Sequence, residues 1–261
     1  MRDSMMNAMF GAMSNEIRMN QIANNLANVN TTAYKRDKVA FHDTFLRFAH
    51  DYMVDARPSL RDKDMWPKAD LMAKPRLSDQ KTDFSQGSLQ MTGNPLDLAL
   101  SGDGFFRVRT PDGDYMTRNG SFRLSSEGSL VTEQGFEVLG NGGPITIPAG
   151  TAAVTVDSAG QIRADNQVVG ELELVAVDDQ RQLQKIGNNL FQLDPKGTAA
   201  EIPPEDLTVE QGFLEKPNVE VVTEMVDMIE TQRAHQMYTK MMQGTGEIDE
   251  KLINTVGRAN S

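Results

Sequence analysis

Residues 96–124 read LDLALSGDGFFRVRTPDGDYMTRNGSFRL, and the period of this stretch decides the fold of the middle of the chain. Side chains on a strand point to opposite faces in turn, so short segments that alternate apolar and polar residues mark half-buried strands. Leu96–Leu100 and Phe105–Arg109 are strand-like, Pro111-Asp112-Gly113 supplies a turn, and Tyr115–Arg118 is the return strand. Farther along, Phe122–Leu124, Leu130–Val131 and Phe136–Leu139 continue at hairpin spacing, with turns at Glu127-Gly128 and Gln134-Gly135. Asn141-Gly142-Gly143-Pro144 is a stronger break. Beyond it come Ile145–Ile147, Val154–Val156, Gln161–Arg163, Val168–Val169, Leu172–Val177 and Leu190–Leu193. Short strands at this spacing predict a barrel-like or sandwich-like body over residues 82–215.

A sequence echo brackets the body. Gln86-Gly87-Ser88-Leu89-Gln90 precedes it and Gln211-Gly212-Phe213-Leu214-Glu215 closes it. The reading is two similar strands lying side by side where the chain enters and leaves the domain.

Outside the body the period changes. Met5, Ala8, Ala12, Asn15, Met19, Ile22, Leu26 and Val29 recur in steps of three and four, a seam that is apolar except at Asn15. A lone Asn at such a position commonly sets register. The rest of this helix is short of charge: Arg2, Asp3, Glu16 and Arg18 are its only charged residues before Lys35, while Asn7, Asn20, Asn24, Asn25, Asn28 and Asn30 are amides. Met6, Met9 and Met13 add apolar surface beside the seam. A solvated helix would carry Lys and Glu there, so burial among other helices is expected. Alone it should be marginal, since Asn is a weak helix former. After Pro217-Asn218 a second helix begins, with apolar positions Val222, Met225, Val226 and Ile229, resuming at Met237, Tyr238, Met241 and Met242, then Ile248, Leu252, Ile253 and Val256. Gly244 and Gly246 lie inside it, which predicts a kink or fraying. Methionine, adaptable and polarizable, is concentrated in both end segments.

The fold class expected is therefore α+β: long N- and C-terminal helices, packed as a coiled coil, flanking a β-rich centre. Its divisions are an N-terminal helix over 1–33, an extended or loop-rich connector over 34–81, the body over 82–215 and a C-terminal helix over 216–261. In the connector Phe41, Phe45, Leu46 and Phe48 suggest a short amphipathic turn or two, and Pro58, Pro67 and Pro75 interrupt the remainder of it.

Composition and motifs exclude more than they assign. A formal net charge of −11 and the lack of a basic run argue against nucleic acid as a partner. No apolar stretch is long enough to span a bilayer, and no cleavable signal peptide opens the chain. With no cysteine, disulfides and thiolate chemistry are excluded. His42, His50 and His235 have no companion metal ligands, Asp112-Gly113-Asp114 lacks a calcium-loop ladder, and Gly102-Asp103-Gly104 lacks the features of a phosphate loop. Ser101 and Ser121 lack a nucleophile-elbow setting. The expectation is a structural protein without catalytic, cofactor-binding or metal-binding residues. Alternatives are an oligomeric β-domain binding module and, less favoured, a wall hydrolase.

Three stretches together carry a resemblance. Asn20–Lys35 (NQIANNLANVNTTAYK) resembles the N-terminal signature of flagellar basal-body rod and hook proteins. Gln86–Leu89, Gly93–Leu100 and Gly102–Phe106 resemble that family's entry into its β domain. Asn218-Val219 and Glu224–Ala234 resemble its C-terminal signature. Length and the run Gly142–Pro148 are most like the proximal-rod members, with distal-rod members the near alternative. Gly244, Gly246 and Lys216-Pro217 depart from the family pattern. The resemblance implies a rod subunit in the periplasm, exported by the flagellar type III apparatus without a cleaved signal. It also implies a hollow helical shaft, with terminal helices as inner tube and β domains as outer layer. Its partners would be copies of itself and homologous rod and hook proteins. The subunit-interface residues expected are Met5, Met9, Ala12, Asn15, Met19, Ile22, Asn24, Asn25, Leu26, Asn28, Val29, Val222, Met225, Val226, Ile229, Met237, Tyr238, Met241, Ile248 and Leu252.

Overall fold

The computed structural model describes residues 2–46, 72–204 and 206–259. Its secondary structure is α+β. Helix α1 (Arg2–Ala27) leads into strands β1 (Asp37–Leu46) and β2 (Met72–Thr82), which pair as a two-stranded sheet. Next come β3 (Leu89–Met91), β4 (Leu98–Ser101), β5 (Phe105–Thr110), β6 (Gly113–Thr117), β7 (Phe122–Leu124) and β8 (Leu130–Thr132). They precede β9 (Glu137–Gly140), β10 (Gly143–Pro144), β11 (Val154–Val156), β12 (Gln161–Ala164), β13 (Gln167–Glu171) and β14 (Leu174–Val177). The last strands are β15 (Leu183–Gly187), β16 (Leu190–Leu193), β17 (Glu201–Ile202), β18 (Thr208–Gln211) and β19 (Phe213–Glu215), ahead of helix α2 (Val221–Ala259).

Two compact units form. One comprises Met1–Asn24, Lys38–Lys81 and Val222–Ser261; the other comprises Asn25–Asp37 and Thr82–Val221.

The second, β-rich unit is organised by β5. Its ten-stranded sheet runs β15-β16-β6-β5-β9-β8-β7, with β10 on β9 and β14 joining β5 to β17. Adjacent residues on a strand face opposite ways, so the pair Phe105-Phe106 serves two cores. Phe106 and Val108 pack with Leu98, Leu100, Phe122, Leu130 and Val138, and Phe106 meets Phe122 edge-on at 5.1 Å between ring centres. Phe105 packs the other way with Met116, Val175 and Phe191, and Phe84 closes a ring cluster at 5.9 Å from Phe105 and 5.2 Å from Phe191. Burying a Phe of this kind stabilises by roughly 1.5–3 kcal/mol, so this dipeptide anchors both layers. Strands β15 and β16 join through Asn188-Asn189, both in the left-handed region (φ 50 and 56), as a primed two-residue hairpin demands.

Smaller sheets close the unit: β11-β12-β13, β18 on β4, and β19 on β3. In the last, Glu215 pairs with Leu89 and Phe213 with Met91, so the echoed segments do lie side by side, antiparallel.

The sequence expectation needs three corrections here. Residues 37–46 and 72–82 are paired strands within what was expected as an extended or loop-rich connector, and β1 takes the place of the short amphipathic turn expected around Phe41, Phe45 and Leu46. Ile145–Ile147 is not a full strand: it bridges Ser129 at Thr146 and bonds through its backbone to Gly128, Leu130 and Val138, and Ile145 and Ile147 are buried. Helix α2 runs unbroken through Gly244 and Gly246 to Ala259. Each glycine costs about 1 kcal/mol against Ala, which lowers the helix's stability without forcing an end to it. His50, Phe48, Pro58 and Pro67 lie outside the described residues.

In the helical unit, Ala8, Gly11, Ala12 and Ile22 are buried on α1, and Glu224 and Thr231 on α2. Gly11 meets Tyr238 of α2 closely: a Cβ added there would stand 2.6 Å from the tyrosine ring. Small residues on α1 thus admit the bulk of α2. No helix among the described residues is long and apolar enough to cross a membrane.

Candidate functional site: a buried junction and two exposed stripes

The segments that leave α1 and approach α2 meet in the β unit around one carboxylate. Helix α1 ends in tight turns, Asn28 N–H to Asn25 O and Val29 N–H to Leu26 O. Ala33 then takes φ 56 and is wholly buried, an arrangement that costs a residue with a Cβ roughly 1 kcal/mol. That conformation lets Ala33 N–H donate to Glu215 O at 2.8 Å and sends Lys35 inward.

Lys35 and Glu215 are each about 1% exposed at the side chain, and their charges meet at 2.7 Å. Glu215 Oε1 also accepts the Gly87 N–H at 2.9 Å, and its Oε2 accepts Arg118 Nε at 2.9 Å. Arg118 spends its remaining donors on the carbonyls of Gly104, Gly102 and Leu100. Lys35 Nζ donates as well to Ser85 O at 2.8 Å. Burial holds the Lys35 ammonium below its ordinary value of 10.5, and the Glu215 charge opposes that shift. The centre holds one anion between two cations, with backbone carbonyls completing the shell.

Two amides extend the junction. Asn25 Nδ2 donates to Asp37 O, while its Oδ1 accepts from Asp37 N–H and Tyr34 OH. Asn218 Oδ1 accepts Arg36 N–H at 2.8 Å, and its Nδ2 donates to Asp83 O at 2.7 Å. Lys185 lies over the Tyr34 ring at 4.3 Å and donates to Asp37 Oδ1 and the Lys35 carbonyl. Asn189, in the β15–β16 turn, donates to Thr32 O. Lys35, Arg118 and Glu215 are all buried at the centre of this arrangement. It fixes chain directions.

Gly87 is required here by close approach. A Cβ would stand 1.8 Å from Lys216 O. Gly87→Ala is expected to cost about 3 kcal/mol by overpacking, measured as the urea midpoint of full-length protein. Gly142→Ala, with nothing within 4 Å of the added atom, is the matched control and should leave the midpoint in place.

The expected interface residues fall into two groups. Ala12, Ile22 and Asn25 are buried by the chain's own packing, and Asn15, Met19, Leu26, Asn28 and Val29 are half-buried. On α2, by contrast, Val222, Met225, Val226, Ile229, Met237, Tyr238, Met241 and Ile248 are all exposed, reaching 71% at Met237. The inward side of α2 carries Glu224 and Thr231 instead. On α1 a second stripe, Met5, Met6, Met9, Met13 and Ile17, is exposed, and so is Asn24. Leu252 belongs to α2, but its side chain lies outside the described residues.

Lys35, Arg118 and Glu215 were not among the residues singled out from the sequence. The available signals were slight: Lys35 ends a charge-poor segment, and Glu215 closes the second echo where the first has Gln90.

Comparison with known proteins matches the same segments. Residues 5–35 fit the family model "Flagella basal body rod protein", 99–164 the "Flagellar hook protein FlgE/F/G D1 domain" and 210–255 the "Flagellar basal body rod FlgEFG protein C-terminal". The chain is 34% identical over 262 residues to the flagellar basal-body rod protein FlgF of Caulobacter vibrioides, covering 97% of this chain and 99% of that one. It is 33% identical to the rod protein FlgG of Bacillus subtilis, with 96% and 98% covered. It is 31% identical to FlgG of Agrobacterium fabrum, with 91% and 93% covered. The chain belongs to the flagellar basal-body rod protein family, and is thereby a structural protein of the bacterial flagellum's basal body.

Proposed function

We propose that this rod subunit joins its neighbours through the exposed apolar stripes of α1 and α2. In one subunit the helices pair as a coiled coil along the small-residue face of α1, leaving Val222, Val226, Ile229, Met237 and Met241 on α2 and Met5, Met9 and Met13 on α1 for other chains. The observation that carries this reading is the exposure of the α2 stripe. Large apolar side chains lined along a helix and left in water favour association by the area they would bury. The partners are copies of this chain and homologous rod and hook proteins. Two different stripes on one chain suit head-to-tail contacts, which produce an open helical array instead of a closed ring. Such an array is a hollow shaft that carries torque across the periplasm. Methionine on α1 lets one surface fit several related neighbours.

The chain reaches the shaft through the flagellar export apparatus without a cleaved signal. The proximal part of the rod is its favoured position, supported by the likeness to FlgF along nearly the whole chain; the likeness to FlgG makes the distal rod the second reading.

A photo-crosslinking residue placed at Met237 of the full chain in motile cells tests the contact. The expected product is a covalent adduct with another rod or hook subunit, absent when the probe sits at buried Ala8. Equal yields at the two positions, or adducts with no axial protein, would rule the stripe out.

A further inference from the structure

Two Asn-Gly pairs occur in the chain, Asn119-Gly120 and Asn141-Gly142. Asparagine is a labile residue, and a glycine after it makes it more so, because no side chain shields the next backbone nitrogen. Reaction needs two further conditions. Base and water must reach that nitrogen, and the Asn side chain must be free to swing toward it.

The two pairs stand in opposite environments. Asn119 is buried, its Oδ1 accepts the Ser121 N–H at 3.1 Å, and its own N–H is held by Thr117 Oγ1. Gly120 is clamped as well: its carbonyl accepts the Leu98 N–H, and a Cβ on it would lie 1.6 Å from Leu98 O. Asn141 and Gly142 form the exposed turn between β9 and β10, with Gly143 at φ 117 closing it. Nothing lies within 4 Å of the open face of Gly142.

We propose that Asn141 is a site of spontaneous covalent modification, and that Asn119 is protected from the same chemistry by the fold. The Gly142 nitrogen, on losing its proton, attacks Asn141 Cγ. A carbon–nitrogen bond forms, the bond from Cγ to the side-chain nitrogen breaks, and ammonia leaves, giving a cyclic imide. Water then opens the imide at either carbonyl, which yields aspartate or isoaspartate. One water is consumed and one ammonia released, with no oxidant, reductant or enzyme.

Both products add a negative charge at the turn. Isoaspartate also reroutes the backbone through the side-chain carbon and lengthens the link between β9 and β10. That link sets the pairing of Gly143 with Gly140, and Asn141 N–H donates to Glu171 O at 3.0 Å. Val138 and Leu139, next to it on β9, are core residues. The modification therefore marks the age of a subunit and loosens one edge of its core.

Full-length protein held in mildly alkaline buffer tests this by peptide mass mapping over several weeks. The Asn141 peptide should gain about one dalton, with isoaspartate detectable, while the Asn119 peptide reacts more than about tenfold slower because it needs a local opening of the unit. In concentrated urea the two rates should converge. Gly142→Ala, which the open surroundings accommodate, should slow modification at Asn141 and leave the unfolding midpoint unchanged. Folded protein reacting equally at both sites, or an unreactive Asn141 beside a reactive urea control, would overturn the proposal.

Discussion

Glu215→Gln is expected to lower the stability of the β unit by about 3–5 kcal/mol, the usual cost of removing one partner from a buried charge pair. Glu215 balances Lys35 and Arg118 at once, and all three side chains are 4% exposed or less. The amide keeps the shape but withdraws the anion between them, leaving two buried cations without their counter-charge. Lys35→Met should cost less, because Glu215 retains Arg118 and the Gly87 N–H. Adding Lys35→Met to the Glu215→Gln chain should then restore roughly 1 kcal/mol by removing an uncompensated charge. Urea melts of the full-length variants, tracked by circular dichroism, provide the comparison. A loss under about 1 kcal/mol for Glu215→Gln would mean that Glu215 is not what holds the two cations in place.

The second large effect concerns assembly. Ile229→Asp and Met237→Asp are each expected to abolish swimming while shifting the unfolding midpoint by no more than about 0.5 kcal/mol, the usual range for surface changes. Both side chains are exposed in the chain, at 50% and 71%, so a charge there costs the monomer little. In an apolar contact between helices the same charge must be stripped of water without a partner, a penalty of several kcal/mol per subunit. Ile22→Asp makes the contrast. Ile22 is buried within the helical unit, so that variant should lose about 3 kcal/mol of the monomer's own stability before assembly is even attempted. Motility assays with basal-body isolation separate the two classes, and normal swimming with both α2 variants would sink the stripe as an interface.

Much of the fold was legible because it rests on period. The strand-like runs Phe105–Arg109 and Phe136–Leu139 are present as β5 and β9, though both bury residues on two faces where a short strand with one apolar face would bury one. The echo of Gln86–Gln90 in Gln211–Glu215 was legible as a repeat of residues, and β3 and β19, which lie in or next to the two copies, do pair. Segments without a period were lost. Strand β2 contains Pro75 and mostly polar residues, and nothing about it reads as a sheet. Proline is tolerated on edges, and a two-stranded sheet has nothing but edges. Strand β18 offers one buried residue, Val209, in Thr208–Gln211.

The junction was harder still. Lys35 and Glu215 are 180 residues apart in sequence, and each is an ordinary charged residue in its own neighbourhood. Polar networks between distant segments leave no repeat to detect. The α2 stripe was legible as apolar, but its direction was not: a helical wheel shows that a face exists, and only the fold shows that Glu224 and Thr231 take the inward side.

Among the described residues, strand β4, in the heart of one core, pairs only with β18, and β3 pairs only with β19. The earliest strands of the unit are thus sealed by its latest. In a chain delivered from its amino end, β4 and β3 lack their partner strands and Lys35 lacks its counter-charge until residues 208–215 arrive. Pairing between such distant segments is slow to form, so the unit closes only when its last strands take their places beside its first.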